Sequence, residues 1–380
     1  MKKLMSILIF GVAIRIFLSF ASFHPDIAAL SAGGQFVTNG HILNLYDYSS
    51  DTLVLNYPPL VYWFFGLLNF LFNGNLSLLK LSYMLFDIPL GFLLIKAVDP
   101  KKAVLAFSLW MFNPISLYAT YMMGQFDIIP TFFTILSFYF IAKNRLSWAA
   151  LALGGGIAFK LYPIFLIIPL IILANTFRSR IKLIILAVLP YCISILPYIF
   201  SHSFRANALF ASQSSKSLYA TLPISGGESI ILFPVLLMLF YLLIWPARPA
   251  GGQKKLDELF FWKIYLIPLL LFFIFTHYHP QWLIWITPFL ILSLVFERLK
   301  NLLPMLMIVG SWVGSLFFFD SSLTIGLFAP LFPVLKNTAD IWTLLNFNID
   351  YNFSRSILQT VFASSAVYLI YQYFPRKENG

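Results

Sequence analysis

Tyr57-Pro58-Pro59-Leu60-Val61-Tyr62-Trp63-Phe64-Phe65-Gly66-Leu67-Leu68-Asn69-Phe70-Leu71-Phe72 is the stretch on which the reading of the whole chain turns. It is apolar enough to enter a membrane. It is also short, opens on two prolines, and follows a polar stretch, 23–56, that contains no Lys or Arg. Around it, apolar segments stand near 4–22, 78–96, 103–123, 128–142, 147–159, 161–175, 182–200, 230–246, 259–275, 281–296, 303–319 and 356–373. Apolar runs of about 15 to 20 residues joined by short polar links are what helices crossing a ~30 Å hydrocarbon layer require. Composition agrees, at 60% hydrophobic and 10% charged residues, where a soluble domain carries roughly 25% charged. The expected fold is an all-α polytopic membrane bundle.

Charge decides whether 57–72 crosses. If it lies at the interface and the N-terminus is cytoplasmic, most of the 25 Lys and Arg fall in inside links. These are Lys2 and Lys3; Lys96, Lys101 and Lys102; Lys143 and Arg145; Arg178, Arg180 and Lys182; Arg248, Lys254 and Lys255; Arg298 and Lys300; Arg376 and Lys377. Lys80, Lys160, Arg205, Lys216, Lys336 and Arg355 remain outside, with Lys263 near the inner end of its span. A crossing at 57–72 would send most of this charge outward. The positive-inside rule therefore favours twelve crossings of the plasma membrane with both termini cytoplasmic. The net charge of +11 reports topology and calls for no nucleic acid. Residues 1–22 have the composition of a signal peptide, but Arg15 inside the apolar run favours an uncleaved first helix. The single cysteine, Cys192, allows no intrachain disulfide.

Inside links run to about a dozen residues, too short for a nucleotide-binding domain. Outside lie three longer segments, 23–77, 201–229 and 320–355, and chemistry is expected there. No phosphate-binding glycine loop, metal-ligand spacing or internal repeat is present in the sequence.

Asp26, in Phe23-His24-Pro25-Asp26, stands where the first span leaves the membrane, ahead of a short interfacial helix at about 28–36. A partly desolvated carboxylate there suits a general base, and equally a helix cap. Gly124-Gln125-Phe126-Asp127 forms a second acidic turn, able to bind a sugar hydroxyl or orient a base, or again to cap a helix. His277-Tyr278-His279-Pro280-Gln281-Trp282 offers donors to a phosphate or sugar, or an aromatic interfacial belt. Arg15 and Asp87 lie at matching depths and read first as an ion pair between two helices, second as part of a pathway. Lys160 falls between two short apolar runs, after Gly154-Gly155-Gly156 and before Leu161-Tyr162-Pro163, where a cation facing a wet cavity suits a lipid phosphate. Lys80 reads also as a snorkelling lysine, and Arg205 and Lys216 as loop charges.

In order along the chain, several of these pieces resemble the GT-C superfamily of polytopic glycosyltransferases, particularly the mannosyltransferase-like members that use polyprenyl-phosphate sugars. They are His24-Pro25-Asp26 with the run to Gly40; Asn56-Tyr57-Pro58-Pro59-Leu60-Val61-Tyr62; Lys80 through Asp87; Asn113-Pro114-Ile115; Gly124-Gln125-Phe126-Asp127; Lys160-Leu161-Tyr162-Pro163; and His279-Pro280-Gln281-Trp282. The likeness covers roughly 1–175, with a weaker part at 259–290. It implies one integral membrane domain, 1–380, in which 1–175 with its outer loop 23–77 is the catalytic module and 176–380 completes the donor and acceptor cavity.

The activity it implies is transfer of a hexose, mannose favoured, from a polyprenyl-phosphate carrier to a glycan, lipid or protein acceptor at the outer face. Neither metal nor cofactor is expected. Asp26 takes the place of the base, and Tyr57-Pro58-Pro59 that of a juxtamembrane segment. Many relatives carry two acids in the first loop where this chain has one after a histidine and proline. The base is therefore open between Asp26 and Asp127, with Asp47 and Asp51 as outsiders. His24, Tyr57, Lys80, Gln125, Lys160, Arg205, His277, His279 and Gln281 are the expected substrate-binding groups. The rival readings are a transporter or flippase of lipid-linked sugar, with Arg15, Asp87 and Lys160 on its pathway, and a non-catalytic membrane subunit.

Overall fold

A computed structural model describes residues 2–210, 215–245, 258–297 and 300–374. The apolar runs fold as helices, as chain buried in hydrocarbon must satisfy its own backbone polar groups. Among the described residues four helices are long and apolar enough to cross a membrane: Lys2–Ala21, Leu76–Ala97, Pro100–Met122 and Phe177–Tyr198. Shorter apolar helices include Pro59–Phe72, Ile128–Ala142, Leu146–Phe159, Leu232–Ile244, Thr287–Phe296 and Leu302–Leu316, and Tyr351–Tyr373 closes the described chain. Among the described residues the only sheet is an antiparallel ribbon of Thr221–Pro223 with Ser229–Ile231. The protein is an all-α membrane bundle.

The deciding stretch forms Pro59–Phe72, 14 residues and so about 21 Å long at 1.5 Å per residue. It lies against Pro25–Thr38. Glycines set the closeness: a Cβ on Gly34 would come 2.6 Å from the Phe65 carbonyl carbon, and one on Gly66 2.8 Å from Val37. Polar ties lock the pair, from Ser31 Oγ to Asn69 Oδ1 at 2.9 Å and from Thr38 Oγ1 to the Gly66 carbonyl at 2.9 Å.

Helix Ile128–Ala142 starts beside Asp127 and ends at Lys143, while Leu146–Phe159 returns from Arg145 to Lys160. Asp127 and Lys160 meet at one end, and Lys143 joins Lys96 over the Tyr139 ring at the other. There too Lys263 pairs with Glu297 at 3.1 Å and Lys102 reaches the Val295 carbonyl at 2.8 Å. The bundle thus has an acid-bearing end and a cation-rich end. Arg248, Lys254, Lys255, Arg298, Arg376 and Lys377 lie outside the described residues.

Arg15 and Asp87 form the expected pair, 2.5 Å apart with neither side chain exposed. Arg15 also donates to the carbonyls of Gly11 and Met111, and Tyr121 donates to Asp87. Every charge in this cluster is matched and bound to a helix, so it serves as a clamp. The run 103–123, read as one span, lies within the membrane-length stretch Pro100–Met122 but is not one continuous α-helix. Its helix stops at Met111, and after the Asn113 cap a wider π-turn occupies Leu117–Met122. This turns Gln125 inward.

Candidate active site

A cavity of about 450 Å³ opens at the acid-bearing end, lined by Asp26, Asn56, Tyr57, Lys160, Tyr162, Phe165, Ser217, Phe272, His279, Gln281, Trp282 and Trp285 among others. Its walls come from both expected parts of the chain, 1–175 and 176–380.

Asp26 is the second residue of Pro25–Thr38. His24 is the cap, its Nδ1 accepting the Asp26 amide at 3.2 Å. Asp26 is thus no cap, and its carboxylate, 43% exposed, projects into the cavity. Gln125 Nε2 donates to it from a fully buried position. The sequence puts the amide there through Gly124, whose φ of +73° belongs to glycine. A Cβ at Gly124 would also meet Ile27 at 2.8 Å. The Gly124 carbonyl accepts from Tyr83 Oη at 2.9 Å.

Asp127 is wholly buried and is not among the residues that line this cavity. It stands at the start of Ile128–Ala142, but its side chain caps nothing. Oδ1 instead accepts from Lys160 Nζ at 2.7 Å and from Trp285 Nε1 at 2.6 Å, while Oδ2 has no partner. Lys160 sits among four rings, 5.7 Å from Tyr57, 5.3 Å from Phe126, and 5.2 Å from each of Trp282 and Trp285. A desolvated ammonium against aromatic faces gains on the order of 2 kcal/mol, and Asp127 balances the charge. The wall continues as a stack, with Tyr162 and Trp285 at 4.1 Å and Trp282 on Trp285 at 5.1 Å.

Lys216 Nζ lies 3.1 Å from His279 Nε2, so it is more than a loop charge. Burial first, then the cations Lys216 and Lys160 with His277, bring the His279 imidazole down to about 4. At neutral pH His279 is therefore uncharged. Burial likewise lowers His24, against the pull of Asp26 and Asp320. Burial, helped by Asp127 and Asp26, keeps the Tyr57 phenol protonated and so a donor.

Other expected groups fall elsewhere. Lys80 does not line the cavity. It is buried, donating to the Ser22 carbonyl at 2.6 Å, where it ties the end of the first helix to Leu76–Ser82. Arg205 donates to the Ile199 carbonyl within its own turn. His277 faces a different cavity. Asp47 and Asp51 are exposed and line neither. Trp285 and Phe272 were not singled out in the sequence, because each reads as one more apolar residue of a helix.

Comparison with known proteins bears on this geometry directly. Residues 120–196 match the mannosyltransferase (PIG-M) family model. That interval contains Gln125, Asp127, Lys160 and Tyr162. Two curated relatives are named GPI mannosyltransferase 1. The one from Saccharomyces cerevisiae is 30% identical over 129 residues, 33% of this chain and 31% of its own. The one from Kluyveromyces lactis is 32% identical over 96 residues, 24% of this chain and 23% of its own. The match thus spans under a third of the length of these relatives. Both comparisons fall among mannosyltransferases, in agreement with the likeness to GT-C enzymes.

Proposed function

We propose that the chain is a membrane glycosyltransferase that moves mannose from a polyprenyl-phosphate carrier to an acceptor hydroxyl at the outer face, with inversion at the anomeric carbon. The observation that carries this is Asp26: among the described residues it is the one carboxylate lining the cavity, held by Gln125 and facing an aromatic wall. Stacked tryptophans suit the apolar face of a hexose, and Tyr57, Asn56 and Gln281 supply polar contacts at its rim. The family match and the relatives' name support mannose.

The step balances without a further reagent. Asp26 takes the proton of the acceptor hydroxyl, and the oxygen attacks the anomeric carbon. The bond from that carbon to the carrier phosphate oxygen breaks, and the phosphate leaves with the electron pair. Of the cations expected at the phosphate, Lys160 remains at the cavity, joined by Lys216 beside His279. Asp127 holds Lys160 in place and is not the base. The acid-bearing end faces outward in this reading, with the cation-rich end and both termini cytoplasmic.

The test is transfer from radiolabelled polyprenyl-phosphate mannose to lipid and glycan acceptors by purified protein in vesicles. Wild type should transfer, and Asp26→Asn should lose about 10²–10⁴ in rate with its folding intact. Full activity in Asp26→Asn would overturn the base. Translocation of the lipid-linked sugar without any transfer would favour the flippase.

A further inference from the structure

A second cavity, about 580 Å³, adjoins the first and has no part in the step above. It lies among the ends of three helices, Glu258–Phe275, Leu302–Leu316 and Tyr351–Tyr373, and under Phe319. The loop Thr276–His279 contributes to both: His279 lines the first, His277 lines the second, and their ring centroids are 6.0 Å apart.

Its chemistry is one-sided. Arg355 is its cation, and no carboxylate is among its lining residues. Asp350 and Asp340, at the entry to the last helix, are engaged by backbone amides and, for Asp340, by Tyr351. Arg355 is held in place by Asn352, which accepts from Nη2 at 2.7 Å, and by the Phe319 ring at 5.0 Å. Among the described residues the remaining donors of the guanidinium fork have no hydrogen-bond partner. Around it stand Ser311, Ser315, Ser356, Gln359 and His277. Thr276, 2% exposed, contributes a buried hydroxyl with no hydrogen-bond partner. A buried hydroxyl left unpaired beside a polar cavity is a group waiting for a ligand atom. Positive charge also converges from the far side, since Lys216 and Arg355 both add to burial in lowering the His277 imidazole.

We propose that this cavity is a second binding site, for a phosphate-bearing group, in which Arg355 is the charged anchor and Thr276 and His277 are further contacts. A guanidinium with free donors recognises phosphate oxygens in pairs. The aliphatic part of the lining, Ile274, Phe275 and Leu358, admits the stem that carries such a headgroup. The site does not depend on the proposed transfer, because it uses none of the groups assigned to that step.

Binding is measured by titration calorimetry on the full chain in maltoside micelles, which contain no phosphate. The probes are dihexanoyl phosphatidate and inorganic phosphate. Phosphatidate should bind saturably, with affinity about tenfold or more weaker in Arg355→Gln and in Ser356→Trp, which fills the cavity. It should stay within about twofold of wild type in Lys336→Gln, an exposed cation that lines neither cavity. Inorganic phosphate binding with the same dependence shows that the phosphate alone is recognised. Binding of phosphatidate alone shows that the lipid stem is needed. Either supports the site. Affinity unchanged in both Arg355→Gln and Ser356→Trp overturns it, as does a comparable loss in Lys336→Gln or no binding of either probe at millimolar concentration. Should Arg355→Gln fail to fold, Ser356→Trp decides.

Discussion

Asp127 and Lys160 are two charges that the fold takes out of water together, with Trp285 as a third partner. Removing one leaves the other buried and uncompensated, which is worth about 3–5 kcal/mol. Asp127→Ala should therefore lower the thermal unfolding midpoint in detergent sharply, although Asp127 does not line the cavity that holds Asp26. The double variant Asp127→Leu with Lys160→Met should regain most of that stability and still transfer nothing. A single variant as stable as wild type would mean the pair compensates nothing. The sequence placed both residues near the site but left open which acid was the base. Exposure separates them, and exposure depends on a partner 33 residues away. His279 makes a second residue-scale prediction. Its imidazole titrates at about 4 in the folded chain and near 6.5 when unfolded. Between those values the unfolded chain holds the extra proton, so stability rises with pH there. The unfolding midpoint should be level with respect to this group above about pH 6.5 and fall as pH drops toward 4. His279→Gln should flatten that slope; an unchanged slope would assign it to other groups.

At the scale of elements, the helix that carries Asp26 is placed by glycine contacts with its neighbour. Gly34→Leu puts a side chain against the backbone of Phe65 and Gly66, so Pro25–Thr38 must move away. Overpacking of this kind destabilises by about 1–3 kcal/mol, and a shift of about 1 Å in Asp26 lowers the rate about 10²-fold. Gly310→Ala is the opposite case. Nothing lies within 4 Å of a Cβ there, and it sits inside Leu302–Leu316, so the change should stabilise by about 0.5–1 kcal/mol. Parallel melting and activity measurements on the two variants check both signs. Helices such as Ile128–Ala142 and Leu146–Phe159 were legible because apolar runs and charged links mark their ends. The π-turn at Leu117–Met122 was not, since its residues continue an apolar run without interruption. The local sign of the break was Asn113-Pro114, a cap followed by a residue that cannot extend the helix before it.

For the molecule as a whole, the proposed side of donor supply rests on the separation of Asp26 from the lysine-rich links. Lys143 and Lys96 meet at Tyr139, at the far end of the helix that begins beside Asp127. In the proposed reading the cations are retained inside and the cavity faces outward, where a sugar would arrive already attached to a lipid carrier. Orientation can be read by labelling. In a Cys192→Ser background, which removes the one cysteine, single cysteines are introduced as Asp51→Cys and Lys101→Cys, both at exposed positions. A membrane-impermeant maleimide applied to intact cells should label Asp51→Cys, and Lys101→Cys only after permeabilisation. The reverse pattern would put Asp26 on the cytoplasmic side. Soluble nucleotide sugars would then reach the cavity directly, and a polyprenyl-phosphate donor would lose the topological argument made for it.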